Sequence, residues 1–93
     1  MTGVQLECDV SKVTIYTKPF CPYCERAEAL LRRKGVEFEE IVASIDPEKR
    51  KEMQERSGRM TYPQVFIGDR HIGGCDDLHE LDRRGELDRM LAA

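Results

Sequence analysis

The chain has 93 residues, the size of one domain. Charged residues make up 35% and apolar ones 40%, a globular composition in which no apolar run approaches the length of a membrane span. Fifteen basic and eighteen acidic residues are interleaved along the chain and leave a net charge of −3, which argues against a nucleic-acid partner.

Residues 1–11 read as a short polar extension ahead of a single domain over 12–93. The extension has no basic segment followed by an apolar one, so no secretion signal is expected and the compartment read is the cytoplasm. Lys12–Thr17 is short and rich in β-branched and aromatic residues, which predicts a strand. Lys18-Pro19-Phe20 interrupts it. From Pro22 to about Lys34 the pattern is helical, with Ala27, Leu30 and Leu31 on one face and Glu25, Arg26, Glu28, Arg32 and Arg33 covering the rest. Pro22 suits the first helical position, and Gly35 after three cations suits a left-handed stop. Val36–Val42 alternates as a second strand. Asp46-Pro47 opens a second helix that runs to about Arg56 and carries almost no apolar residue but Met53. Gln64–Ile67 and Arg70–Ile72 form a hairpin across Gly68-Asp69. Asp76 or Asp77 is expected to cap a third helix bearing Leu78 and Leu81, with Asp77 and Glu80 at capping-box spacing. A last helical stretch after Gly85 uses Leu87, Met90 and Leu91. Phe20, Phe38 and Phe66 are expected in the core, and His71 and His79 at the surface or at a strand end. The order β-α-β-α-β-β-α-α implies an α/β fold: one parallel crossover, one hairpin, and a small mixed sheet with helices on both faces.

The cysteines at 8, 21, 24 and 75 carry the chemistry. Cys21 and Cys24 are too close to staple distant segments, and at that spacing a pair of thiols holds a metal or does redox chemistry. Cys21 lies where a strand hands over to a helix, so its sulfur should sit beside unpaired backbone N–H groups at the positive end of the helix. Those groups and Lys18 favour the thiolate over the thiol. Cys24, one turn later, should be more covered and more nearly an ordinary thiol. One sulfur then attacks and the other resolves. The metal reading uses Cys75 and His79, at C-x3-H spacing, to complete a four-ligand zinc set with Cys21 and Cys24. Pro22 weighs against it, because it directs the first pair into a helix instead of a tight knuckle.

Cys21-Pro22-Tyr23-Cys24 after a strand, Thr61-Tyr62-Pro63 before another, and Gly73-Gly74-Cys75-Asp76-Asp77 opening a helix resemble the dithiol glutaredoxins. The resemblance runs from about Val13 to Leu91 and is strongest to small bacterial members. It implies a thioredoxin-like fold of four strands, an enzyme that reduces protein disulfides and glutathione mixed disulfides, and glutathione as reducing co-substrate with no tightly bound cofactor. It further implies a cis bond at Pro63 that turns the Tyr62 backbone toward Cys21, to pair with glutathione as with an extended peptide. The glycine carboxylate of glutathione would meet Lys18 and Arg59. Its γ-glutamyl end would meet the helix start at Asp76 and Asp77, with Asp77 accepting from the ammonium group. Tyr23, Thr61 and the Cys75 backbone complete the implied contacts. The family usually has valine where Tyr62 stands, which bears on the width of the groove. Expected partners are disulfide-containing or glutathionylated proteins, ribonucleotide reductase among them, acting on a monomer.

Three other readings compete. A thioredoxin would carry Trp before its motif, and this chain has none. Some glutaredoxins bridge an iron–sulfur cluster between two subunits, a use Pro22 disfavours by resemblance. The bland reading makes Asp76 a helix cap, Lys18 and Arg59 solvated charges, Tyr23 a cover for the sulfur and Cys8 a bystander.

Overall fold

All five residues of Val13–Thr17 (β1) are buried, the signature of a strand covered on both faces. In the computed structural model, which describes residues 12–92, β1 is a central strand of a four-stranded sheet ordered β2-β1-β3-β4. It pairs in parallel with β2 (Phe38–Val42), from Val13 opposite Phe38 to Thr17 opposite Val42. Parallel pairing requires a crossover, and α1 (Pro22–Arg33) supplies it. On its other side β1 runs antiparallel to β3 (Gln64–Ile67), which turns through Gly68-Asp69 into β4 (Arg70–Gly73). The expected α/β fold and the order of strands and helices along the chain hold, with the first two strands starting one and two residues later than the sequence suggests. A short 3₁₀ turn at Ala43–Ile45 was not foreseen. The extension expected at 1–11, with Cys8, lies outside the described residues.

Three helices share one face of the sheet. Ala27, Leu30 and Leu31 of α1 pack with Val13, Ile15, Val65 and Ile67, and the same cluster takes in Leu78 and Leu87. Those two come from α3 (Cys75–Arg83) and α4 (Glu86–Ala92). Lys34, at the end of α1, ties to both helices through Asp82 at 2.5 Å and Asp88 at 2.9 Å. Among the described residues, the other face carries α2 (Pro47–Ser57) and the Ala43–Ile45 turn. Asp46 caps α2 through the Glu48 and Lys49 amides, as Asp46-Pro47 suggests. Met53 is its one buried residue, in a small cluster with Tyr16, Ala43 and Phe66. A polar contact chain reinforces it: Tyr16 Oη donates to Glu52, and Arg56 donates to Tyr16 Oη at 2.8 Å while stacking 4.1 Å above the Phe66 ring. Among the described residues no helix is long and apolar enough to cross a membrane.

Four expectations need correction. Phe20 is 98% exposed, because its backbone adopts a left-handed conformation (φ 56°) that turns the ring away from the core. Glu28 is buried, not on the solvent side of α1, because Glu40 of β2 and Thr17 of β1 make a polar recess beneath it. The third helix starts at Cys75 with Gly74 as its cap residue. Asp77 stands at the third helical position and accepts from the Gly74 amide at 3.0 Å, so neither Asp76 nor Asp77 is the cap and Glu80 takes no part. His71 and His79 are half-buried: His71 Nε2 meets Gln64 Oε1 at 2.7 Å, and His79 Nδ1 meets the Cys75 carbonyl at 2.9 Å.

Met53→Ala should destabilise the fold by about 2–5 kcal/mol, the range for truncating a fully buried methionine. Met60→Ala, at an exposed position, should change stability by about 0.5 kcal/mol or less. Urea unfolding midpoints of the two variants check this.

Candidate active site

The site begins where β1 ends. Lys18-Pro19-Phe20 turns the chain, and Cys21 follows in an extended conformation (φ −116°, ψ 103°) as the cap residue of α1. Pro22 enforces this, since a residue before proline is driven out of the helical region. The Cys21 sulfur accepts from the Cys24 amide at 3.2 Å, filling the role a serine or aspartate oxygen takes at other helix starts. A sulfur held there has an amide donor and the positive end of α1 to stabilise negative charge.

Cys21 and Cys24 are almost equally covered, 4% and 3% exposed, so cover does not distinguish them as the sequence suggests. Their surroundings do. The Cys24 thiol is pushed up to about 12, first by burial and then by its hydrogen bond with Cys21, against a smaller opposing pull from the Lys18 backbone. Negative charge on Cys21 and on Glu28 adds to the rise. Cys24 therefore keeps its proton at neutral pH. Cys75 is also raised, chiefly by burial.

A cleft of about 220 Å³ lies beside the pair, lined by Tyr23, Arg59, Tyr62, Pro63, Gly74, Cys75, Asp76 and Asp77. Tyr23, which stands between the two cysteines in the chain, lines this cleft and so sets it beside the pair. Seven residues read from the sequence thus share one cavity. Lys18 and Thr61 do not line it: Lys18 is exposed, and the Thr61 carbonyl and hydroxyl both accept from Gln64 Nε2 at 3.0 Å. The Tyr62–Pro63 bond is cis. The Tyr62 ring packs against the Tyr16, Met53 and Phe66 cluster, with its hydroxyl buried and without a hydrogen-bond partner. Opposite, the α3 backbone approaches closely, so that a Cβ at Gly74 would lie 3.3 Å from the Pro63 carbonyl. Gly73 has φ 124°, a conformation that favours glycine, and a Cβ there would strike the Asp77 carboxylate.

Asp77 and Arg59 form an ion pair at 3.1 Å across the mouth of the cleft. The Gly74 amide first, and Arg59 next, hold the Asp77 carboxyl below its usual range, so it is ionised at neutral pH. Spacing alone did not reveal this pairing, nor the part of Gln64, which is buried and joins Thr61 to His71. Among the described residues no three His, Cys, Asp or Glu side chains converge as metal ligands, and Cys21, Cys24, Cys75 and His79 do not form such a set.

The glutaredoxin family model matches residues 13–72. The chain belongs to the glutaredoxin family. It is 57% identical over 82 residues to glutaredoxin 3 of Escherichia coli K12, covering 88% of this chain and 99% of that one. It is 54% identical over 81 residues to a glutaredoxin of Pseudomonas aeruginosa, covering 87% and 96%. Among solved structures, the Brucella melitensis glutaredoxin superposes with a TM-score of 0.78 at 62% identity, over 90% of this chain and 91% of that one. A buckwheat glutaredoxin–glutathione complex superposes with a TM-score of 0.79 at 30% identity, over 96% and 84%. The fold is therefore thioredoxin-like, and the protein is a glutathione-dependent thiol–disulfide oxidoreductase, an enzyme.

Two measurements follow from the electrostatics. At pH 7, alkylation of the reduced protein followed by mass spectrometry should label Cys21 well before Cys24 or Cys75. Glu28, buried with the Glu40 carboxyl beside it, is raised from 4.5 to about 7. Between those values the folded chain holds a proton that the unfolded chain has released, so stability falls as pH rises through that window. Glu28→Gln removes this titration. Its stability relative to the parent should rise from pH 4.5 to pH 8 by at most about 3 kcal/mol, read from thermal melts.

Proposed function

We propose that Cys21 is the attacking thiol and Cys24 the resolving thiol of this oxidoreductase. The observation that carries the assignment is the capping hydrogen bond, which gives charge-stabilising donors to one sulfur while Cys24 stays protonated. In the first step the Cys21 thiolate attacks a substrate disulfide, forming a mixed disulfide and expelling one substrate thiolate. With a glutathionylated protein, Cys21 takes the glutathionyl sulfur and frees the protein thiol. A second glutathione then attacks the mixed disulfide, leaving as oxidised glutathione and restoring Cys21. With a protein disulfide, Cys24 attacks Cys21, expels the second protein thiolate and closes the Cys21–Cys24 disulfide, which two glutathiones reduce.

The cleft suits a short extended peptide with a charge at each end. Its γ-glutamyl carboxylate would meet the start of α3 at Gly74–Asp77, and Asp77 would take the ammonium group. Arg59 would take the glycine carboxylate, helped by Lys18 from outside the cleft. Binding then replaces the Arg59–Asp77 pair with one ligand charge on each partner. Tyr62 and Pro63 present backbone to the peptide, and Tyr23, Thr61 and Cys75 border it. Protein disulfides and glutathionylated proteins, ribonucleotide reductase among them, are the proposed substrates of a monomer acting in the reducing cytoplasm.

Cys24→Ser should keep glutathione-mixed-disulfide reduction and lose most dithiol-dependent protein disulfide reduction, whereas Cys21→Ser should lose both. Equal activity of the two variants in a glutathione reductase-coupled assay would overturn the assignment. Asp77→Asn keeps an acceptor for the Gly74 amide but drops the charge. Asp77→Asn and Lys18→Ala should each weaken glutathione turnover by about 1.5–3 kcal/mol, roughly ten- to a hundredfold, with melting points near the parent's.

A further inference from the structure

Behind Cys24 lies a carboxyl that the scheme above does not use. Cys21, Cys24 and Glu28 follow one another at three- and four-residue spacing along a single stripe of α1, so Cys24 and Glu28 are neighbours one turn apart. Cys24 is 3% exposed and Glu28 7%. An acid so covered would ordinarily be paired by a strong donor, yet Glu28 Oε2 has no hydrogen-bond partner. Arg32, on the next turn and largely exposed, comes only within 3.7 Å of the other oxygen.

The recess continues to solvent through β2. Glu40 stands opposite Ile15 in the parallel ladder and meets the Glu28 carboxyl, while its own Oε2 accepts from Thr17 Oγ1 at 2.9 Å. Glu40 is exposed. The charged groups acting on Glu28 are thus Glu40 from the sheet and Arg32 and Glu25 from its own helix. Cys24, Glu28 and Glu40 thus follow one another from the buried thiol to a carboxyl at the surface.

We propose that Glu28 is the proton acceptor for Cys24 when it resolves the mixed disulfide, with Glu40 relaying the proton to solvent. The proposal rests on Cys24 being the resolving thiol. As the Cys24 sulfur bonds to the Cys21 sulfur, the bond from Cys21 to the substrate sulfur breaks and its electron pair leaves on the substrate thiolate. The Cys24 proton passes to the Glu28 carboxylate. The cysteine pair is oxidised by two electrons, the substrate is reduced by two, and the proton returns to water by way of Glu40. A carboxyl that titrates near neutrality is matched to this task, being ionised often enough to accept and weak enough to release.

The test is stopped-flow reaction of the reduced full-length protein with the aromatic disulfide dithiobis(nitrobenzoate). A phase proportional to reagent concentration reports attack by Cys21. A second phase, independent of concentration, reports Cys24 expelling thionitrobenzoate from Cys21. In the parent the second rate should rise through an inflection near pH 7 and then flatten. In Glu28→Gln it should fall at least about tenfold at pH 8 relative to the first phase and climb with hydroxide without the inflection. Glu40→Gln, at an exposed position, removes the neighbour that favours protonated Glu28, so the inflection should move to lower pH. An unchanged second phase in Glu28→Gln overturns the proposal. If that variant does not fold, an inflection that stays in place in Glu40→Gln overturns it. Absence of the second phase from the parent removes the resolving role of Cys24 and the proposal together, whereas a normal parent with an indifferent Glu28→Gln removes the proposal alone.

Discussion

The Cys24 amide reaches back 3.2 Å to the Cys21 sulfur, and the geometry of the site follows from that bond. A helix start leaves amides without partners, and most helices fill the need with a hydroxyl or carboxylate oxygen. Here the acceptor is a sulfur of the Cys21–Cys24 pair itself, so the bond that orders the first turn also fixes where that sulfur lies. Pro22 keeps Cys21 extended, β1 fixes the position of the turn by being buried along its whole length, and the crossover to β2 leaves α1 one side of the sheet to lie on. Disturbing any of these would move the sulfur before it altered the chemistry.

Much of this was legible in the chain because the signals were local. Asp46-Pro47 marks a helix start, Gly35 a helix stop with φ 74°, and Gly68-Asp69 a hairpin, each within a few residues of its cause. The Cys21-Pro22-Tyr23-Cys24 string likewise contains its own cap and first helical residue. What escaped was set by partners distant in sequence. Glu28 reads as a solvent residue by its charge, although its spacing sets it with Cys24 and Leu31, and the β2 register brings Glu40 under α1 beside it. Arg59 and Asp77 meet through the approach of α3 to the Pro63 loop, eighteen residues apart. Phe20 was misread for a different reason: an apolar residue beside a core strand is usually buried, and a single left-handed φ reverses its direction.

The charges around the cysteines are arranged in two registers. At the mouth of the cleft, Arg59 and Asp77 neutralise each other. Beneath α1, the buried Glu28 carboxyl meets the exposed Glu40 carboxyl and in turn acts on Cys24. The first arrangement sets a cation and an anion together at one opening. The second adds to the burial that raises the Cys24 thiol.

The lopsided cover of the sheet also divides the molecule mechanically. The face bearing α1, α3 and α4 is knit by leucines, valines and isoleucines, whereas α2 is fastened by Met53 and the Tyr16–Glu52–Arg56 contacts. Segments with few buried apolar contacts open at a lower free energy than the whole domain, so α2 forms the softer unit and its amides exchange with solvent first. The cysteines belong to the stiff half through α1, but the Tyr62 ring is anchored in the small cluster beneath α2. The cleft thus joins an α1 side packed in the large cluster to a Tyr62 side held by the small one.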